Sequence, residues 1–580
     1  VRRSIATVSV SGTLAEKLDA IAAAGFDGVE IFENDLVSSP LSPEEVRDRA
    51  ADLGLGIDLY QPFRDFEAVG PDALAAGLRR AEHKFAVMER LGARTLLVCS
   101  NVSRDAVDDD ELAAAQLRLL AERAAAHGIR IAYEALAWGR HVDDYLHAWR
   151  IVRMADHPNL GTCLDSFHIL SRGTDPGGIE AIPGEKIFFL QLADAPRLAM
   201  DVLQWSRHHR CFPGQGDFDV AGVVGHALRA GYRGPLSLEV FNDIVRQAAA
   251  ARTAVDAMRS LIALEERATA PATAPTGFAF AELAVPAPER LGELLTALGF
   301  ARTGGHATKP VELWEQGRAR ILLNATAREG TSLAAIGLET PDPGGAVRHA
   351  EHLLAPVLPR HRAPGEADLH AVAAPDGTEL FFCRTDDPAW RADFSRPREA
   401  PGGEITCLDH VALAQPRHQF DEAALFYRSV LGLRPAARVE FADPYGLVRS
   451  RAMAGPGDAV RMVLNIASVG GGGAPWQHVA LASTDIVATA RRLRGLTLPI
   501  PANYHDDLEA RFDLGPERHR LLRELGLLYD RDEHGEFLHL YTATYGRVFF
   551  EVVQRIGGYR GYGTAGSHVR LAAQHDGPYP

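Results

Sequence analysis

Along the first 265 residues, apolar and polar positions recur in one unit: a short apolar run, a polar break, then apolar residues at helical spacing. The apolar runs predict strands at 5–10, 28–32, 56–60, 95–99, 129–134, 160–164, 187–192 and 236–240. The stretches between them, among them 14–24, 43–53, 71–91, 109–127, 142–154 and 220–230, predict helices, with 245–264 closing the series. Gly25, Gly54, Gly92, Gly128 and Gly231 follow helical runs, where a left-handed residue commonly ends a helix. Strand–helix alternation implies parallel strands with right-handed crossovers, and eight such units predict a closed (β/α)8 barrel. An open doubly wound sheet fits less well, because no Gly-rich phosphate loop follows the first strand.

The pattern then changes. Residues 268–277, Ala-Thr-Ala-Pro-Ala-Thr-Ala-Pro-Thr-Gly, read as an extended linker. Beyond it the chain repeats itself: the stretch from 280 echoes that from 408, 318–325 echoes 459–467, and 378–384 echoes 546–553. Each copy reads as strand, helix, then several short strands, and the second carries an insertion rich in Tyr, His and Asp around 501–545. The expected organisation is therefore an α/β chain with a barrel at 1–267, a linker at 268–277, and paired modules at 278–400 and 401–580.

Composition narrows the partners. The chain has 580 residues and a formal net charge of −15, so no broad positive field exists for nucleic acid. No apolar run approaches the roughly 20 residues needed to cross a bilayer, and the start reads as a first strand and not as a signal peptide. The five cysteines, Cys99, Cys163, Cys211, Cys383 and Cys407, contain no CxxC pair, which fits a reducing cytoplasm.

Four polar residues stand at predicted strand ends: Glu134, Asp165, Gln191 and Glu239. In a barrel those ends open onto one face, where three close carboxylates repel unless a cation neutralises them. An all-oxygen set suits a hard divalent ion such as Mg²⁺ or Mn²⁺. His168, three residues after Asp165, is placed to abstract a proton, and Arg64 and Arg210 suit bidentate recognition of a carboxylate substrate. Tyr60 and the loop Ser206–Arg210 complete the candidate mouth. An ion held there would polarise a carbonyl and stabilise an enediolate, the step shared by isomerisation, epimerisation and dehydration.

A second cluster lies in the last module. His410, His478 and Glu551 are polar residues inside strand-like patterns. Two histidines and one carboxylate make the facial set associated with non-haem iron, so a second divalent metal (Fe²⁺, Mg²⁺ or Mn²⁺) is expected. The matching positions of the first copy read Glu282, Ala335 and Cys383, which cannot build the same site.

Residues 1–265 resemble the sugar phosphate isomerase/epimerase (xylose isomerase-like) superfamily, and specifically the bacterial 3-dehydroshikimate dehydratases. The resemblance rests on the opening Ser-Ile-Ala-Thr-Val-Ser-Val-Ser-Gly-Thr-Leu, on Gly25-Phe-Asp-Gly-Val-Glu-Ile-Phe-Glu, Ile131-Ala-Tyr-Glu-Ala-Leu-Ala-Trp-Gly and Cys163-Leu-Asp-Ser-Phe-His, and on Leu190-Gln-Leu-Ala-Asp-Ala-Pro, Phe212-Pro-Gly-Gln-Gly and Leu238-Glu-Val-Phe-Asn. It implies that Glu134, Asp165, Gln191 and Glu239 bind a divalent metal (Mg²⁺, Mn²⁺ or Co²⁺). It further implies that His168 is the base, with Arg64, Ser206 and Arg210 around the substrate. The activity implied is conversion of 3-dehydroshikimate to protocatechuate and water; a sugar isomerase or epimerase is the alternative for the barrel. The rest of the chain looks like 4-hydroxyphenylpyruvate dioxygenase, built on the vicinal oxygen chelate fold, through Leu522-Arg-Glu-Leu-Gly-Leu-Leu-Tyr-Asp-Arg-Asp, Pro501-Ala-Asn-Tyr-His-Asp-Asp-Leu and Gly546-Arg-Val-Phe-Phe-Glu-Val-Val-Gln-Arg. Its tail departs from that family, with Ser567 and His568 where Asn and Phe are usual, which implies that a substrate ring is bound differently or not at all. The C-terminal half is thus expected either to support the dehydratase or to make the chain bifunctional, and the whole to work as a cytoplasmic homo-oligomer on a small carboxylate.

Overall fold

The computed structural model describes residues 1–266, 274–327, 330–360, 362–385, 387, 389–395, 400–444, 446–466 and 476–576. The chain divides into two compact units, Val1–Ala270 and Pro271–Pro580. Most of the predicted linker lies outside the described residues; at its far end Gly277 already belongs to a strand, Gly277–Ala284. Among the described residues, no helix is long and apolar enough to cross a membrane.

In the first unit, eight strands close a barrel in sequence order: β1 (Arg3–Ala6), β2 (Gly28–Phe32), β3 (Gly56–Phe63), β4 (Thr95–Cys99), β5 (Arg130–Glu134), β6 (Leu160–Asp165), β7 (Ile187–Leu192) and β8 (Leu236–Leu238). All neighbouring pairs are parallel, and β1 meets β8 through Ile5 opposite Leu238. Leu59, Leu97, Ala132, Cys163 and Phe189 belong to one buried cluster inside this barrel. The helices begin where side chains satisfy the first free amides. Thr13 with Glu16 and Ser42 with Glu45 form capping boxes, the second followed by Pro43 in the first turn. The five helix-ending glycines all adopt positive φ, between 64° and 98°.

Several predicted elements differ. The first strand ends at Ala6, because Thr7–Ser9 turns into a 3-10 helix. The loop predicted around Ser206 holds a short helix, Val202–His208, started by Asp201, whose carboxylate accepts from the Leu203 and Gln204 amides.

The second unit contains two eight-stranded sheets. In the last, strand Ile405–Gln415 runs antiparallel to Gln477–Ser483 and parallel to Arg461–Ile466, while Gln477–Ser483 is parallel to Val548–Gly557. The earlier sheet repeats this plan with Gly277–Ala284, Ser332–Thr340, Ala319–Asn324 and Glu379–Arg384. Register corrects the repeat alignment. Asn324 and Asn465 match in the repeat, and they lie beside Ala284 and Ala414, which pairs Phe280 with His410. Gly337 then takes the place of Ala480, opposite Phe280 and Phe381 as Ala480 is opposite His410 and Glu551. The counterparts of His410, His478 and Glu551 are therefore Phe280, Ala335 and Phe381, and not Glu282, Ala335 and Cys383. A two-residue slip leaves strand alternation unchanged, so the pattern of polar and apolar positions could not detect it. Phe280, Ala335 and Phe381 sit in one buried cluster with Trp390, whose ring lies 5.0 Å from that of Phe280. Where the last module gathers metal-ligating groups, the earlier one is filled with apolar side chains.

Candidate active site and second metal cluster

Glu134 and Asp165 are the last residues of β5 and β6, Gln191 lies one residue before the end of β7, and Glu239 follows β8. All four are buried. Asp165 is oriented by its own chain: Oδ1 caps the helix Ser166–Ser171, accepting from Phe167 N at 2.6 Å and His168 N at 3.2 Å. Its Oδ2 is left to face the site, where Arg210 Nη1 donates to it at 2.7 Å and to Glu239 Oε2 at 2.9 Å. The remaining Arg210 nitrogens donate to Ser206 Oγ at 3.1 and 2.9 Å. Arg210 thus directs four of its five N–H groups at oxygens within the protein. Arg64, which lines the cavity above, makes no hydrogen bond or ion pair through its guanidinium among the described residues.

His168 rides on the same short helix. Ala137 N–H donates to its Nδ1 at 3.1 Å, and Nε2 lies 3.8 Å from Asp165 Oδ2, 3.9 Å from Glu134 Oε1 and 3.3 Å from Arg210 Nη2. A neutral imidazole has one lone pair, so it accepts from Ala137 or from Arg210, not both. Burial pulls the ring down to about 3, which keeps it neutral at pH 7.

The charges do not balance within the protein. Burial, together with Asp165 and Glu239, pushes the Glu134 carboxyl well above its ordinary range, and burial raises Glu239 to about 7. Asp165 stays low, because Arg210 and His168 outweigh its burial. Glu134 Oε1 is buried without a hydrogen-bond partner, and Glu134, Asp165 and His168 each offer a ligand atom within 4.8 Å of the others. An orphaned carboxylate oxygen in a set of acids too crowded to ionise together fits a divalent cation.

Two residues that the sequence reading passed over complete the floor. Glu30 on β2 is fully buried and accepts from Gln61 Nε2 at 2.8 Å, from Gln191 Nε2 at 2.6 Å and from Ser237 Oγ. The Gln191 amide is therefore held with Oε1 accepting from Cys163 Sγ at 3.3 Å, which leaves one lone pair for an ion. A carboxylate in the middle of the apolar run Gly-Val-Glu-Ile-Phe was the available signal. Tyr60 is buried but does not line the cavity, whereas the next four residues, Gln61, Pro62, Phe63 and Arg64, all do. The cavity encloses about 1820 Å³ including its mouth, and its wall carries Arg64, Arg80, Lys84, Arg207, Arg210 and Arg246.

In the last module, strand register puts His410, His478 and Glu551 on one face. Glu551 Oε2 lies 3.1 Å from His410 Nε2 and 3.2 Å from His478 Nε2, and the two Nε2 atoms are 3.2 Å apart. Ligand atoms bound side by side at about 2.1 Å from an ion are themselves about 3 Å apart, so the cluster fits one. Supporting groups orient it. Asp409 Oδ1 lies 2.9 Å from His410 Nδ1, Arg555 donates to both Asp409 oxygens at 2.9 Å, and His539 Nδ1 lies 2.8 Å from Glu551 Oε1. Burial would raise the Glu551 carboxyl, but contacts from the three imidazoles hold it well below its ordinary value. Burial lowers His478 to about 4. Asp409, Arg555 and His539 were not singled out from sequence; the polar residue in Glu-Phe-Leu-His-Leu-Tyr marks only the last of them.

Comparison with known proteins agrees with this architecture. The family model for the xylose isomerase-like TIM barrel matches residues 18–261. Those for the N-terminal part of hydroxyphenylpyruvate dioxygenase and for the glyoxalase/bleomycin resistance protein/dioxygenase superfamily match 270–341 and 408–534. A 3-dehydroshikimate dehydratase of Pseudomonas putida is 46% identical over 99% of this chain and 98% of its own length. One of Pseudomonas aeruginosa is 47% identical over the same shares. A solved xylose isomerase-like TIM barrel/4-hydroxyphenylpyruvate dioxygenase fusion protein superposes with a TM-score of 0.91 at 45% identity, covering 99% of both chains. Relatives matched over their whole length, with a barrel bearing an acid cluster and a dioxygenase-like half bearing a two-histidine, one-carboxylate cluster, place this chain in the 3-dehydroshikimate dehydratase family.

Proposed function

We propose that the barrel dehydrates 3-dehydroshikimate to protocatechuate and water with the help of a divalent ion (Mg²⁺, Mn²⁺ or Co²⁺) held by Glu134, Asp165, Gln191 and Glu239. The observation that carries this reading is the crowded acid set with its orphaned Glu134 Oε1, at the floor of a cavity walled by cations. When bound, the ion supplies Lewis acidity to a substrate carbonyl, making the adjacent C–H acidic.

The chain's own residues do the rest. Arg64, whose guanidinium has no hydrogen-bond or ion-pair partner among the described residues, receives the substrate carboxylate, and the cations of the wall oppose the net charge of −15 there. Arg210 keeps Asp165, Glu239 and Ser206 in place. His168 accepts the C4 proton at Nε2 after giving up the Ala137 N–H contact, which leaves its own hydrogen on Nδ1. The C5 hydroxyl then departs as water, taking the proton that His168 accepted, and tautomerisation gives the aromatic ring. Trp138, whose ring lies 5.1 Å from that of His168, holds the imidazole edge-on.

The test is incubation of the chelated and then metal-reconstituted protein with 3-dehydroshikimate while ultraviolet absorbance is recorded. A catechol-type spectrum that requires the ion supports the reading; silence with every ion tried refutes it.

A further inference from the structure

The cavity at the C-terminal cluster holds a cation that metal binding does not require. Arg570, on helix Ser567–Asp576, is 7% exposed and lines this cavity with Tyr562 and Ser567. It is fixed from behind: Nη1 donates to Gln574 Oε1 at 2.6 Å, and Gln574 Nε2 donates to Thr544 Oγ1 at 3.2 Å. Its guanidinium carbon sits 5.3 Å from the Phe549 ring centre, and that ring lies 4.8 Å from the ring of His478. Among the described residues, its hydrogen-bond partner is an amide, and no carboxylate pairs with it.

A buried guanidinium without a counter-ion carries a desolvation cost that an anion in the cavity would offset. Two imidazoles and one carboxylate leave positions on an ion for a ligand with two adjacent oxygens. A 2-oxo acid would chelate the ion through its carboxylate and keto oxygen, so that carboxylate is not left for Arg570. A catechol with a ring carboxylate satisfies both ends, its vicinal oxygens chelating the ion and its carboxylate left for the guanidinium. Val439, Phe441 and Val463 supply an apolar wall for the ring.

We propose that the C-terminal module binds a dihydroxybenzoate through its triad-held ion and Arg570. The ligand class rests on Arg570 and the triad; its identity with the product of the barrel rests on the function proposed above. One chain then carries a site that makes this compound and a second that binds it.

Calorimetric titration of the full-length, metal-reconstituted protein with 3,4-dihydroxybenzoate tests the proposal. One bound equivalent per chain should disappear in His478→Ala and bind about tenfold or more weakly in Arg570→Met. At that site, catechol should bind about tenfold or more weakly than dihydroxybenzoate in the unmodified protein and about equally in Arg570→Met, with Arg570→Lys recovering part of the preference. The proposal is overturned if no equivalent is lost in His478→Ala, or if the affinity ratio is the same with and without Arg570. It is also overturned if 4-hydroxyphenylpyruvate takes the second site with the same dependence on Arg570. Failure of the dehydratase reading would show separately, as no catechol spectrum from 3-dehydroshikimate.

Discussion

Glu67, in the loop after β3, offers a quantitative test of the barrel's electrostatics away from the acid cluster. Its side chain is 1% exposed. Oε1 accepts from Asn101 N at 2.6 Å and Tyr133 Oη at 3.0 Å, while Oε2 is buried with no partner. Burial, only partly offset by these donors, raises the carboxyl from its ordinary 4.5 to about 7. Below pH 4.5 the group is protonated folded or unfolded and has no effect on stability. Between 4.5 and 7 the unfolded chain releases its proton while the folded one keeps it, so stability falls as pH rises. At about 1.36 kcal/mol per pH unit, the whole interval costs roughly 3 kcal/mol. Gln at this position keeps an oxygen for both donors and carries no charge. Scanning calorimetry of the full chain should therefore find the barrel transition of Glu67→Gln level with the unmodified protein near pH 4 and higher by several degrees at pH 8. All other titrations are common to both proteins and cancel in the comparison. Parallel curves from pH 4 to 8 would show that the Glu67 carboxylate is solvated, and the reasoning would fail.

Further outcomes follow from the sites. His168→Ala should lower turnover about 10²- to 10⁴-fold while bound metal, measured by elemental analysis, stays the same. Arg64→Ala should act mainly on KM, whereas Arg210→Ala, which strands two buried carboxylates, should destabilise the barrel by about 3–5 kcal/mol in denaturant titrations. Metal analysis should fall from two ions per chain to one in His478→Ala. Asp409→Asn should weaken that ion's binding about 10- to 100-fold, since His410 loses its charged partner.

Much of the barrel was readable because its signals are local. Gly28–Phe32, Thr95–Cys99 and Ile187–Leu192 begin and end where the apolar runs do, and carboxylates at strand ends point to a single face once the strands are parallel. Glu30 was harder to see. Its side chain lies in the interior of β2, and its meaning comes from Gln61 on β3, Gln191 on β7 and Ser237 on β8, three strands far apart in the chain. Arg210 shows the same limit from the other side. Its residue type suggested a substrate anchor, but it spends its donors on Asp165, Glu239 and Ser206, and Arg64 is left with none of these partners.

The sequence by itself determined the element types, the barrel and repeat plan, and the residues able to ligate an ion, because periodicity, caps and residue chemistry act over a few positions. The tertiary structure alone decided register and partnership. It set Phe280 and Phe381 where His410 and Glu551 stand in the other copy, and turned Tyr60 away from the cavity that Gln61 lines. It also left Arg570 buried beside the second cluster, with no carboxylate paired to it among the described residues. Strand pairing and charge compensation join residues far apart in the chain, and no local pattern records which of several equivalent pairings the packed core selects.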